Sequence, residues 1–304
     1  MKIASLLPAA TEIVYALGLG DDLIGVTDEC DYPPDAVTKP VISRSALPQG
    51  RIQTPREIDE AVRAQVAGDG QLYVLDRELL RRETPDVILT QDLCRVCAVP
   101  SGQVQRALDD LGLPEAHVVS LDPQTLEEVV AQVEAVGRIL DREDRAKELA
   151  EAMRTRIEKV KDTAKRVLTL SIFCLEWSDP PFAAGHWVPE MAETVGGVPV
   201  LSVKGEPSRE VAWYEIRTAA PEVVVFMPCG YYLEEAEEEA RSFIDHPEFA
   251  DTPAVRNGNV FAVDATSYFS RPGPRIVDGL EILAWAAHPE DYPEPPPGTI
   301  SRLT

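Results

Sequence analysis

The chain has 304 residues, 44% of them apolar, enough for two domains that each bury a core. Its 29 basic and 52 acidic residues leave a net charge of −23, which argues against nucleic acid and anionic membrane surfaces, since both require a basic footprint. No apolar run reaches the roughly 18 residues of a membrane span, and the opening Met-Lys-Ile-Ala-Ser-Leu-Leu-Pro lacks the apolar core of an export signal. The expected location is therefore the cytoplasm, or the periplasm or exterior if the true start lies upstream; in the cytoplasm the five cysteines are expected as thiols or metal ligands rather than disulfides.

In chain order, residues 2–6 read as a strand and Pro8 to Leu17 as a helix, with Thr11 and Glu12 in its first turn and Gly18 and Gly20 ending it. A strand at 22–27 exits through a loop, 28–34, that carries Cys30. Helical patterns at 55–66 and 76–83 lead to a strand at 86–90. The loop 91–100, a helix at 101–112 and a strand near 116–120 follow. Thr125-Leu126-Glu127-Glu128 fits a capping box opening a helix that runs to about 140. A second helix covers 143–165. Strand 167–173, a long loop 174–186, a helix ending at Gly196-Gly197, a helix at 213–219, strand 222–226 and an acidic helix at 232–243 come next. Strand 259–263 leads into a final helix, 274–287, and the Pro-rich tail 288–304 reads as irregular coil.

This βαβα alternation predicts an α/β fold of two Rossmann-like lobes with mostly parallel sheets, joined by a long rigid helix. The expected divisions are 1–122 for the first lobe, 123–166 for the helical linker and 167–304 for the second lobe. A repeated segment supports two similar lobes. Residues 82–94 and 217–229 each take a helix end through a Pro and an acid (Pro85-Asp86, Pro221-Glu222) into an apolar run that does not alternate, as in a buried parallel strand. Each then reaches a loop cysteine, Cys94 or Cys229. Ligands of open α/β sheets bind beyond the carboxyl ends of the strands, so the two thiols are expected to face one another across a ligand cleft between the lobes.

Three constellations fall in those loops. Cys94 and Cys97 form a C-x-x-C pair; with Cys30 and Cys229 they could hold zinc or an iron–sulfur cluster. The same residues also read as small buried hydrophobes or free thiols, or as a redox pair at 94–97. The aromatic residues Trp177, Trp187, Tyr231 and Tyr268 lie in loops or at strand ends and not on helical stripes, as stacking walls for a large flat ligand would. Arg271, ahead of Pro-Gly-Pro, suits an amide or carboxylate. His186 is the best metal-capable imidazole, and the helix start at Pro8 to Glu12 offers free N–H groups. No Walker A, nucleophile elbow or H-E-x-x-H occurs, which argues against an enzyme.

Ser5-Leu6-Leu7-Pro8-Ala9-Ala10-Thr11-Glu12, Glu29-Cys30-Asp31-Tyr32-Pro33, Thr90-Gln91-Asp92-Leu93-Cys94-Arg95-Val96-Cys97, Gly185-His186-Trp187-Val188-Pro189-Glu190 and Arg271-Pro272-Gly273-Pro274-Arg275 together resemble the helix-hinged class of ABC-importer substrate-binding proteins. Within that class they are closest to a cobalamin-binding-protein-like subgroup. The resemblance implies a non-catalytic binder of a cobalamin-like corrinoid, or of another tetrapyrrole or iron chelate such as a siderophore. It adds Pro8, Thr11, Glu29, Tyr32 and Gln91 to the ligand-binding candidates. It also implies docking to an ABC permease through an acid on each lobe, seven residues before the Pro of the repeat. That position is Glu78 in the first lobe and Tyr214, with Glu215 beside it, in the second. The alternative is a cytoplasmic cysteine-ligated metal or iron–sulfur protein with a redox, sensing or enzymatic role.

Overall fold

The computed structural model describes residues 1–46, 54–67, 72–93, 98–113 and 115–303. The chain divides into two compact units: Met1–Asp122 with Ala131–Ala150, and Pro123–Val130 with Glu151–Thr304.

Unit 1 contains β1 (Ile3–Ser5), α1 (Pro8–Ala16), β2 (Leu23–Thr27), β3 (Val41–Ser45), α2 (Pro55–Ala67), β4 (Tyr73–Leu75), α3 (Arg77–Glu83), β5 (Val87–Thr90), α4 (Ser101–Leu111) and β6 (His117–Ser120). Its sheet runs β4-β3-β2-β1-β5-β6. All neighbours pair in parallel except β3 and β4. The continuous apolar run of β5 is buried at every position, as a strand covered on both faces must be. Leu79, Leu80, Val104 and Leu108 pack from α3 and α4 onto Ala4, Ile42 and Ile88. Asp76 caps α3 through Leu79 N–H at 2.8 Å. Strands β3 and β4 were not expected from the sequence. Both are short and lie at one edge of the sheet, where apolar patterning is weakest.

The next elements are α5 (Leu126–Ile139) and α6 (Glu143–Ala164), 22 residues long. Two of the three unit boundaries fall inside these helices, at Val130/Ala131 and Ala150/Glu151. Gly137 leaves no space for a Cβ against Ala146, so the two helices approach closely there.

Unit 2 contains β7 (Ser171–Ser178), β8 (Pro181–Ala183), α7 (Val188–Thr194), β9 (Val198–Pro199), β10 (Arg209–Glu210), α8 (Trp213–Ala219), β11 (Val223–Phe226), α9 (Leu233–Ile244), α10 (Pro247–Ala250), α11 (Pro253–Asn257), β12 (Val260–Val263), α12 (Ala265–Tyr268), α13 (Ile276–Ala287) and β13 (Ile300–Arg302). Its sheet runs β10-β8-β7-β11-β12-β13, with β9 beside β7. Strands β7, β11 and β12 are parallel, so their carboxyl ends share one edge. Phe173, Leu175, Val224 and Phe226 bury one face of the sheet under α8 to α11. Arg156 of α6 is held to α13 by Asp278 at 2.6 Å and by both oxygens of Glu281 at 2.7 and 3.0 Å.

Two sequence expectations are corrected here. The strand expected at 167–173 starts at Ser171 and runs to Ser178, then folds back as β8, so much of the expected loop 174–186 is a hairpin. The apolar run continues through Leu175 and Trp177, and the turn signal is the later Asp179-Pro180. The tail is not all irregular coil: Ile300–Arg302 add an antiparallel edge strand to β12. Arg302 fixes it by donating to Gly258 O at 2.7 Å and Asn259 Oδ1 at 2.9 Å, with its guanidinium 5.3 Å over the Phe261 ring.

Candidate functional site

In unit 1 the carboxyl ends of β1 and β2 are closed by a buried polar knot. Thr11 Oγ1 donates to Ser5 Oγ at 2.8 Å, and Cys30 Sγ lies 3.1 Å from Thr11 Oγ1 and 3.7 Å from Thr27 Oγ1. Thr11 and Cys30 are 0% and 3% exposed, which makes both of them packed, internally bonded groups. Pro8 is half-buried at the first position of α1, and Glu29 is exposed. Tyr32 stands 45% exposed, while Gln91 is buried just beyond β5. Cys94 and Cys97 lie outside the described residues.

In unit 2 the carboxyl edge gathers most of the expected aromatic residues. Trp177 near the end of β7 meets Tyr231, which follows β11, edge-on with ring centroids 5.8 Å apart. Thr266 in α12, just past β12, donates its N–H to Tyr231 O at 3.1 Å. Next to Trp177, Ser178 Oγ donates to Glu239 Oε1 at 2.8 Å. Two polar atoms here are buried without a protein hydrogen-bond partner: Trp177 Nε1 and Thr266 Oγ1. Burial pushes the Tyr231 hydroxyl up to about 12, helped by Glu239 and Glu235. Burial also raises the Glu239 carboxyl, against the hydrogen bond from Ser178.

A second cluster continues along the same edge. Ser208 Oγ donates to Glu176 Oε2 at 2.7 Å and accepts from Gly185 N–H at 3.1 Å. Burial raises the Glu176 carboxyl, and these hydrogen bonds only partly offset it. His186 follows in the left-handed region (φ 53°), with Nδ1 3.1 Å from Gln124 Oε1. That contact suits a neutral imidazole whose Nδ1–H donates to the amide oxygen. Burial lowers the His186 pKa, which favours that neutral form. Trp187 is buried, and its Nε1 donates to Phe269 O at 2.9 Å, so its indole braces the edge. Tyr268 lies under the Arg275 guanidinium, 5.7 Å away. Arg271 is 6% exposed, and Cys229 is half-buried.

Sequence reasoning missed Gln124, Ser178, Ser208, Glu239 and Thr266. Glu239 did carry a signal: it shares the buried face of α9 with Ala236 and Ala240, at a spacing where an apolar residue is normal. Glu78 is exposed in the first turn of α3. Glu215 is engaged locally, accepting from Ala212 N–H at 2.8 Å and pairing with Arg209 at 3.2 Å, whereas Tyr214 is 62% exposed. Among the described residues, no three His, Cys, Asp or Glu side chains come together as a metal site. Burial pushes the Cys174 thiol up to about 12. No described helix is long and apolar enough to cross a membrane.

Residues 3–266 match the periplasmic binding protein family. The chain belongs to this family. Members are solute-binding proteins, and this chain is one of them rather than an enzyme. It is 25% identical over 283 residues to a vitamin B12-binding protein of Vibrio cholerae, covering 92% of this chain and 86% of that protein. Two solved periplasmic binding proteins share the fold. The periplasmic vitamin B12-binding protein BtuF of Vibrio cholerae has a TM-score of 0.68 at 22% identity, covering 94% of this chain and 95% of that one. A periplasmic haem-binding protein of Pseudomonas aeruginosa has a TM-score of 0.72 at 19% identity, covering 100% and 99%.

Proposed function

We propose that this chain binds a cobalamin-like corrinoid as the substrate-binding component of an ABC importer. The observation that carries the reading is the gathering of Trp177, Tyr231 and Tyr268 on the carboxyl edge of one parallel sheet, braced by Trp187. A corrin is a large disc, and aromatic edges and faces supply contact area to it at little cost in side-chain entropy. The vitamin B12-binding relative, aligned over most of both chains, supports the same ligand class. His186 Nε2 then offers a lone pair to the central metal, in the tautomer that Gln124 selects. Glu78, which is exposed, and Glu215, beside the exposed Tyr214, are the proposed permease contacts.

Titration of the purified protein with cyanocobalamin, haemin and a ferric siderophore tests this, read by absorbance and thermal shift. Saturable binding of cyanocobalamin is the expected result. Response to haemin or the siderophore alone would replace the ligand while keeping the class. No response to any of the three would overturn the reading.

A further inference from the structure

His186 is held more firmly than packing alone requires. Its backbone lies in the left-handed region at φ 53°, which is uncommon outside glycine and persists where the surroundings over-determine it. Its N–H donates to Glu206 O at 2.7 Å, and its carbonyl accepts from Gly205 N–H at 3.0 Å. The preceding Gly185 has no room for a side chain, since a Cβ there would stand 2.3 Å from Ser208 N. The ring is fixed as well. Nδ1 lies 3.1 Å from Gln124 Oε1. Gln124 is in turn tied down close by, where Leu126 N–H donates to Glu190 Oε2 at 2.7 Å and Lys204 Nζ donates to Oε1 of the same carboxylate at 2.7 Å. The imidazole stands beside the Trp187 indole, centroids 5.8 Å apart, and that indole is bonded to Phe269 O, next to Tyr268. After all this, Nε2 has no hydrogen-bond partner among the described residues and stays accessible on a half-buried side chain.

The other imidazoles of unit 2 are spent differently. His246 uses Nδ1 to accept from Glu248 N–H and stacks on Trp213, and His288 is 7% exposed. An anchored Nδ1–H with a free Nε2 is how proteins present imidazole to a transition metal, because the outer oxygen fixes the tautomer and the ring and raises the basicity of the other nitrogen. We propose that His186 Nε2 takes an axial position on the metal of the bound corrinoid, that the protein therefore prefers corrinoids with an exchangeable axial ligand over those with both axial positions filled, and that Gln124 is the positioning residue. This rests on the corrinoid reading and deepens it. In the binding step the Nε2–cobalt bond forms as the cobalt–water bond breaks. The water leaves, the Nδ1 proton stays on the ring, and the cobalt keeps its oxidation state. Cyanocobalamin carries cyanide on one face and its own nucleotide base on the other, so it binds without this bond.

The test is a matched pair of ligands that differ at one axial position. Aquocyanocobinamide and dicyanocobinamide share the macrocycle and its rim, and differ by water against cyanide. Both are titrated at pH 7.5 in 0.5 M NaCl, which screens the difference in ligand charge, with the dicyano form kept in excess cyanide. Heat and the visible spectrum are recorded together. The aquo form is expected to bind at least about tenfold more tightly, the scale on which even an outer partner of a metal ligand acts, and its visible bands are expected to move as imidazole replaces water. His186→Asn, whose side chain tolerates left-handed backbone, is expected to abolish the band movement and bring the two affinities together. Gln124→Leu is expected to cost about tenfold for the aquo form alone, with the band movement kept at saturation. Equal weakening of both ligands would instead make Gln124 a merely structural residue and overturn its positioning role. If His186→Asn does not fold, the parent spectrum and Gln124→Leu still decide. Equal affinities in the parent, bands that do not move, or bands that move as before in His186→Asn would overturn the ligation while leaving corrinoid binding standing. Binding of neither cobinamide nor of cyanocobalamin would remove the corrinoid reading itself, and the ligation with it.

Discussion

The Trp177 indole stands edge-on to the Tyr231 ring, centroids 5.8 Å apart at 72°, with Nε1 buried and no protein acceptor for it. The Tyr231 ring is only half-buried, so the pair keeps aromatic surface that a bound ligand can cover. Tyr231→Ala is expected to weaken cyanocobalamin binding by about tenfold or more, the usual weight of a buried aromatic contact. Calorimetry checks it, with the melting temperature recorded alongside. An affinity equal to that of the parent would show that Tyr231 touches no ligand.

The histidines set an acid limit on stability. Burial lowers the pKa of His186, and it lowers that of His288 against the pull of Asp291 and a backbone hydrogen bond at Val195. Below the unfolded value of about 6.5, the unfolded chain takes up protons at these positions before the folded one does. Their contribution is therefore complete above that pH and shrinks as pH falls toward the folded values. Glu176 and Glu239 act in the opposite sense, since their raised folded values make protonation favour the fold. The single variants separate these effects. His186→Gln is expected to lose less melting temperature than the parent between pH 7 and pH 5.5. Parallel curves for the two proteins over that window would contradict it.

Much of this architecture can be read from residues alone, and the exceptions share a cause. Val87–Leu89 and Val223–Phe226 declare themselves because a run apolar at every position has to be covered on both faces. Tyr73–Leu75 and Ile300–Arg302 are three residues each, too short for any period to show, and long-range pairing makes them strands. The site divides in the same way. Trp177, Tyr231 and Tyr268 stand out by chemical type. The bond between Ser178 and Glu239 joins residues 61 apart and exists only because β7 extends to Ser178 while α9 packs beside it.

The tail strand makes a direct test of that long-range pairing. Arg302 alone supplies two hydrogen-bonded contacts and a cation–π contact to the segment that carries β12. Because the side chain is exposed, each contributes modestly. Arg302→Ala is expected to cost about 1 kcal/mol, read from urea unfolding. Amide exchange should quicken in β12 next to the freed edge, since the loss is local. Unchanged exchange there would show that the strand holds without its arginine.

Ionic strength is the last lever. With 52 acidic against 29 basic residues, the net charge of −23 leaves many carboxylates with no cation to pair with, so their mutual repulsion opposes the compact state. The ion pairs that do exist lie largely on exposed side chains and contribute little each. Arg156, shared by Asp278 and Glu281 at the α6–α13 contact, is 40% exposed and less open to screening than those pairs. Raising salt shortens the Debye length from about 10 Å at 0.1 M to about 3 Å at 1 M. It should therefore remove more repulsion than attraction. The melting temperature is expected to rise by several degrees between 0.1 and 1 M NaCl, a range and a salt in which surface-exclusion effects are small compared with those of sulfate. A flat or falling melting curve would mean that the acidic groups are spaced widely enough not to oppose folding, and that the ion pairs carry more of the stability than their exposure suggests.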